Sequence, residues 1–135
     1  MRKRKNADAG LTPLELEIMT VLWRTGPANV QMVLSGLDGR DLAYTTVQTM
    51  LNILHRKGKV SRRLVDRAYF YQPVLSRQRA VGQAISEMLE RFFDGSADRL
   101  VLSLLETRHL TQEKLQRIQE LASNSESAKK GVGRD

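Results

Sequence analysis

Thr45, Thr46, Gln48, Thr49 and Asn52, closed by Arg56, form a run of short hydrogen-bonding side chains in the 135-residue sequence. These residue types suit the edges of nucleic-acid bases. Gln pairs with adenine through two hydrogen bonds, and Thr meets a thymine methyl group or a phosphate oxygen. Val47, Leu51 and Leu54 are threaded through the same run at i, i+4 and i+7, so a helix would bury one face and present the polar set on the other. An ordinary solvated helix face would carry a Glu/Lys mixture instead. Directly downstream, Arg56, Lys57, Lys59, Arg62, Arg63 and Arg67 stand against Asp66 alone. Like charges so close repel one another unless a polyanion is present. The pattern predicts double-stranded DNA as partner, with Thr46, Gln48 and Thr49 at base edges or flanking phosphates. Lys57, Arg62, Arg63 and Arg67 are the predicted phosphate clamps.

Other chemistries lack their residues. Cysteine is absent, which removes thiolate nucleophiles, disulfides and Cys-based metal sites. His55 and His109 are the two imidazoles, too far apart for a metalloenzyme motif, and no nucleophile elbow or glycine-rich phosphate loop occurs. Neither an enzyme nor a metal nor any other cofactor is expected. With 41% hydrophobic and 27% charged residues the chain has globular composition. Its net charge of +7 is concentrated early, since residues 1–73 carry 12 Lys and Arg against 6 Asp and Glu. No run approaches the roughly 18 apolar residues of a membrane span, and the start Met1-Arg2-Lys3-Arg4-Lys5 has no apolar segment after it. A cytoplasmic protein without membrane insertion is expected. A basic protein-interaction module docking on an acidic protein is the alternative that composition leaves open; it would ignore duplex DNA at physiological salt.

The elements that must position these residues are legible from punctuation. Thr12-Pro13-Leu14-Glu15 has the form of a capping box, with Pro13 in the first turn. Leu14, Ile18, Val21 and Leu22, with Leu16 and Met19 alongside, continue a helix that Gly26-Pro27 stops, and Trp23 reads as a core anchor. A short second helix runs from Asn29 through Val30, Val33 and Leu34 to the turn-rich Ser35–Gly39 stretch. The third spans Thr45 to Lys57, with Gly58 supplying the left-handed residue after it. Two strands follow, Lys59–Val65 and Ala68–Gln72, joined by Asp66-Arg67 and stopped by Pro73. Val60, Leu64, Ala68 and Phe70 are expected on the packed face of this hairpin, with Tyr69 and Tyr71 as strand filler. Three helices and a basic hairpin predict a winged helix-turn-helix over residues 11–73, mainly α with a small β-hairpin.

From Ser76 the pattern becomes long and amphipathic. Val81, Ala84, Ile85, Met88, Leu89, Phe92 and Phe93 make one stripe, broken by Asp94-Gly95-Ser96. Leu100, Val101, Leu104 and Leu105 make a second, and Leu115, Ile118, Leu121 and Ala122 a third, after the His109-Leu110-Thr111 connection. So small a segment cannot bury three stripes by itself, which predicts a helical dimerisation region over 74–122 and a homodimer. Residues 1–10 form a basic tail and 123–135 a Ser/Lys/Gly-rich one, both expected to be disordered.

The residues also carry a family resemblance. Leu11-Thr12-Pro13-Leu14-Glu15, Val21-Leu22-Trp23, Ala43-Tyr44-Thr45-Thr46-Val47-Gln48-Thr49, Lys57-Gly58, Arg67-Ala68-Tyr69-Phe70-Tyr71-Gln72-Pro73 and Phe93-Asp94-Gly95-Ser96, in that order, resemble the penicillinase-repressor family, the BlaI/MecI type, from about Leu11 to Ala122. The resemblance implies a dimeric bacterial repressor on a palindromic operator, blocking antibiotic-resistance genes. It also implies, as a partner, a membrane sensor-protease that responds to a β-lactam and leads to cleavage in the dimerisation region. Where such relatives are cut at an Asn-Phe pair, this chain has Ser103-Leu104. It has Ile53 where many have Arg, Asp66 where the wing turn often has Gly, and Arg79 where a Ser-x-x-Glu box would place Glu, leaving Ser76 to cap alone. The C-terminal cysteines of a copper-responsive branch are missing.

Overall fold

The computed structural model describes the backbone of residues 10–133 and side chains as far as residue 125; the basic tail before Gly10 lies outside the described residues. Helix α1 (Pro13–Thr25) starts on a complete capping box. Thr12 Oγ1 accepts the Glu15 N–H at 3.2 Å and Glu15 Oε1 accepts the Thr12 N–H at 2.9 Å. It ends at Gly26, whose φ of 84° is open to glycine without strain. Asn29 caps α2 (Val30–Gly36) by accepting the Met32 N–H at 2.8 Å. Helix α3 (Tyr44–Arg56) begins one residue before its predicted start and is followed by Lys57 and by Gly58 at φ 76°.

The hairpin consists of β1 (Val60–Val65) and β2 (Ala68–Pro73), antiparallel, with Arg62 opposite Tyr71 and Leu64 opposite Tyr69. Asp66 and Arg67 both have positive φ, 49° and 70°, as a two-residue turn matched to strand twist demands. Ala28 and Tyr71 exchange backbone hydrogen bonds of 3.0 and 2.8 Å, tying the segment before α2 to β2. The predicted packed face requires correction. Val60 and Tyr71 are buried, while Leu64 is 61% exposed and Phe70 half-buried. The register explains this: Val60, Arg62 and Leu64 share a face with Tyr69 and Tyr71, and the helices cover the base of that face but not its tip.

Ile18, Met19 and Leu22 of α1, Val30 and Val33 of α2, and Val47, Leu51 and Leu54 of α3 meet Val60 and Tyr71 in one core. Each such aliphatic side chain contributes about 1.5–3 kcal/mol when fully buried. Trp23 packs against this core and its Nε1 donates to the Leu75 carbonyl at 2.9 Å, the anchoring role expected of it.

Three further helices follow: α4 (Arg77–Phe92), α5 (Ala97–Glu106) and α6 (Gln112–Gly133). Ser76, Ser96 and Thr111 open them, each hydroxyl accepting the N–H three residues on. The chain divides into two compact units between Glu87 and Met88, inside α4, and not at the expected boundary after Pro73. Leu75 and Ala80 pack on the N-terminal core, so the first turn of α4 belongs to that unit. The C-terminal tail differs too. Helical backbone continues to Gly133 where disorder is expected beyond Ala122, because no Pro or Gly interrupts residues 112–130 and a helix already nucleated gains one backbone hydrogen bond for each residue added. Among the described residues no helix is long and apolar enough to cross a membrane.

Candidate nucleic-acid interface

Helix α3 separates its residues by face as the spacing predicts. Val47, Leu51 and Leu54 are fully buried, and Thr45, Thr46, Gln48, Thr49, Asn52 and Arg56 are all exposed. No acid lies on this helix. Its N-cap is Ala43, which offers no side-chain acceptor; the Ala43 carbonyl accepts the Thr46 N–H at 3.1 Å, and among the described residues no side chain caps the N–H groups of Tyr44 and Thr45 ahead of it. Tyr44, at the first helical position and 46% exposed, joins the polar face, although the residue-type pattern starting at Thr45 does not include it. Its aromatic ring broke the run of short side chains. Ile53 is half-buried, so this chain places no charge there.

Two ion pairs hold α3 to α1, one before its start and one beyond its end. Arg40, in the loop leading into α3, binds Glu17 through two of its guanidinium nitrogens, Nε donating to Oε1 at 2.9 Å and Nη2 to Oε2. The hydrogen bond and charge of Arg40 hold the Glu17 carboxyl below its ordinary pKa. Lys57, just after α3, places Nζ 2.7 Å from Glu15 Oε2. Glu15 is 2% exposed, and burial alone would raise its pKa. The hydrogen bonds from Lys57 and from the Thr12 N–H, with the Lys57 charge, outweigh burial and hold it below the ordinary value. Lys57, predicted as a phosphate clamp, thus has a carboxylate partner inside the fold. Nothing at the sequence level points to that pair, since its members lie 42 residues apart.

On the wing, Arg62, Arg63 and Arg67 are all exposed. Arg62 lies 4.2 Å above the Tyr69 ring and donates from Nη1 to Asn52 Oδ1 at 3.2 Å. The same Oδ1 accepts the Tyr71 hydroxyl at 3.2 Å. The polar face of α3 and the arginines of the wing are therefore joined through Asn52. Tyr71 is buried strand filler, as expected, whereas Tyr69 stays 42% exposed under Arg62. Among the described residues no cluster of acids or imidazoles could hold a metal ion.

Of the predicted dimerisation residues, Ile85, Met88 and Phe92 of α4 are 46%, 46% and 74% exposed. Val101 on α5 and Ile118 on α6 are exposed as well. Leu89, Leu100, Leu104, Leu105 and Leu115 are half-covered. Ser103 and Leu104 sit inside α5, where the Ser103 carbonyl accepts both the N–H and the hydroxyl of Thr107, at 2.9 and 2.8 Å.

Comparison with known proteins decides the family. The model of the family described as "Penicillinase repressor" matches residues 11–124. The chain belongs to the penicillinase-repressor family. A penicillinase repressor of Bacillus licheniformis is 26% identical over 121 residues, covering 89% of this chain and 94% of that one. The transcriptional regulator BlaI of Mycobacterium tuberculosis H37Rv is 38% identical over 94 residues, 68% of either chain. Among solved structures, a chain of the hsRosR-S4 complex superposes with a TM-score of 0.53 at 17% identity, covering 91% of this chain and 96% of that one. The YusO protein of Bacillus subtilis gives 0.50 at 15% identity, covering 94% and 81%. These likenesses support the winged-helix fold. As a member of the penicillinase-repressor family the protein is a DNA-binding transcriptional repressor and not an enzyme.

Proposed function

We propose that this repressor binds a palindromic operator as a homodimer, one α3 per half-site, and controls genes of the antibiotic, β-lactam, response. The observation that carries this reading is an acid-free, hydrogen-bonding helix face held beside three exposed wing arginines. Thr46, Gln48 and Thr49, with Thr45 and Arg56 at the ends, approach base edges and adjacent phosphates in the major groove. Arg62, Arg63 and Arg67 run along the backbone. A second copy covers the uncovered stripe Ile85, Met88 and Phe92, together with the half-covered Leu89, Leu100, Val101, Leu104, Leu105, Leu115 and Ile118. Two-fold symmetry then sets half-sites one helical turn, about 34–36 Å, or a multiple apart.

Linkage of two half-site contacts is also the switch. Severing the dimerisation region makes the second contact independent of the first, and affinity falls by orders of magnitude with the reading face intact. A sensor-protease acting at Ser103-Leu104 would have to unwind α5 first, because the Ser103 carbonyl is held twice by Thr107. Selection of bound sequences from a random duplex pool at about 150 mM salt tests the operator claim, since weak phosphate binding is suppressed there. A palindrome should emerge. Recovery of no sequence would overturn the reading in favour of a protein-interaction module.

A further inference from the structure

Asn52 has the residue type and position of a base reader, yet its carbonyl oxygen is already occupied. Oδ1 accepts the Tyr71 hydroxyl and the Arg62 guanidinium, both at 3.2 Å. An amide oxygen has two lone pairs. Bidentate pairing with adenine needs that oxygen to accept from the base while the amide nitrogen donates. With both lone pairs used, Asn52 makes no such pair.

We infer that Asn52 is a positioning residue that locks the wing to the recognition helix and fixes Arg62 for phosphate contact. This rests on the DNA-binding reading above and deepens it. Arg62 is held on two sides, by Asn52 through Nη1 and by the Tyr69 ring 4.2 Å below it, while Tyr71, paired directly opposite Arg62, steadies the amide from the core. A free arginine loses rotamer freedom when it binds phosphate; one already held loses less. Fixing the arginine also fixes the angle at which the wing meets the duplex while α3 lies in the groove.

The test has two arms, one of which needs no DNA. In the free protein, the Arg62 side-chain protons above Tyr69 should show ring-current-shifted NMR signals. Asn52→Ala should move them toward unstructured values, and Asn52→Asp, which keeps both acceptor positions, should restore them. Unchanged Arg62 signals in Asn52→Ala would overturn the lock whatever the protein does with DNA. In the second arm, fluorescence anisotropy with a selected duplex and an unrelated duplex is read across a salt series. Asn52→Ala should weaken both by the same factor, about three- to tenfold, and lower the salt slope toward that of Arg62→Ala. On the Arg62→Ala background it should add nothing. A relaxed base preference at one operator position with an unchanged salt slope would make Asn52 a base reader and refute the inference. If the parent protein binds no duplex, the DNA-binding reading fails, and the NMR arm still decides the lock.

Discussion

Glu15→Gln isolates the link between α1 and the end of the recognition helix. The amide keeps an oxygen for the Thr12 N–H, bonded at 2.9 Å in the parent, so the capping box survives. What is lost is the charge-assisted bond from Lys57 Nζ at 2.7 Å, replaced by an amide donor facing an ammonium donor. Removing one member of a buried pair is severe when the other charge stays buried. The Lys57 side chain is 37% exposed and its ammonium can turn to water, so the loss should be about 1–2 kcal/mol. That corresponds to roughly 4–8 °C in Tm per kcal/mol for a domain of this size. Glu15 has a folded pKa below its unfolded one, so its contribution is full above the ordinary carboxylate range and is lost as pH falls through the folded value. Denaturant unfolding at pH 7 and at successively lower pH should therefore show parent and variant converging in acid. A gap that persists unchanged in acid, or no gap at pH 7, would refute the assignment of this stability to the Glu15–Lys57 pair.

Three other outcomes follow from the interface. Arg63→Gln should weaken binding to all duplexes alike and lower the slope of log affinity against log salt by about 1 per protomer, measured by anisotropy across a salt series; a loss confined to one operator would contradict a phosphate role. Thr49→Ala should change the ranking of operator variants by about 1–3 kcal/mol at one base position while non-specific affinity holds, and equal losses on both would remove it from base reading. Phe92→Asp, at a side chain 74% exposed on α4, should give a monomer in sedimentation while the winged domain keeps its thermal unfolding profile; a dimer that persists would place the interface elsewhere.

What was legible in the sequence was local. The capping box at Thr12 and Glu15, the Asn29 cap, the left-handed Gly58 and the Asp66-Arg67 turn each depend on residues within a few positions, and each formed where the residue types demand. The polar face of α3 was equally legible, because helical spacing fixes which side chains share a face. The packed face of the hairpin was not. Alternation assigns residues to faces within one strand, but the pairing of Leu64 with Tyr69 and the reach of the wing beyond the core decide which face is covered and how far. The partners of Lys57 and Asn52 were hidden for the same reason: Glu15 and Tyr71 reach them through tertiary packing. Helix α6 runs past the end of its apolar stripe, through the weak helix formers Ser123-Asn124-Ser125, because an already formed helix adds a backbone hydrogen bond per residue without needing a stripe.

The central claim is a dimer that spans two half-sites, and the most direct measurement is the mass of its complex with DNA. Sedimentation of the full chain with a short duplex carrying the selected palindrome, and with a duplex carrying one half of it, counts the chains bound to each. Two chains per palindrome, with binding to the half-site weaker by orders of magnitude, is the predicted result. One chain per duplex with equal affinity for the palindrome and its half would contradict it.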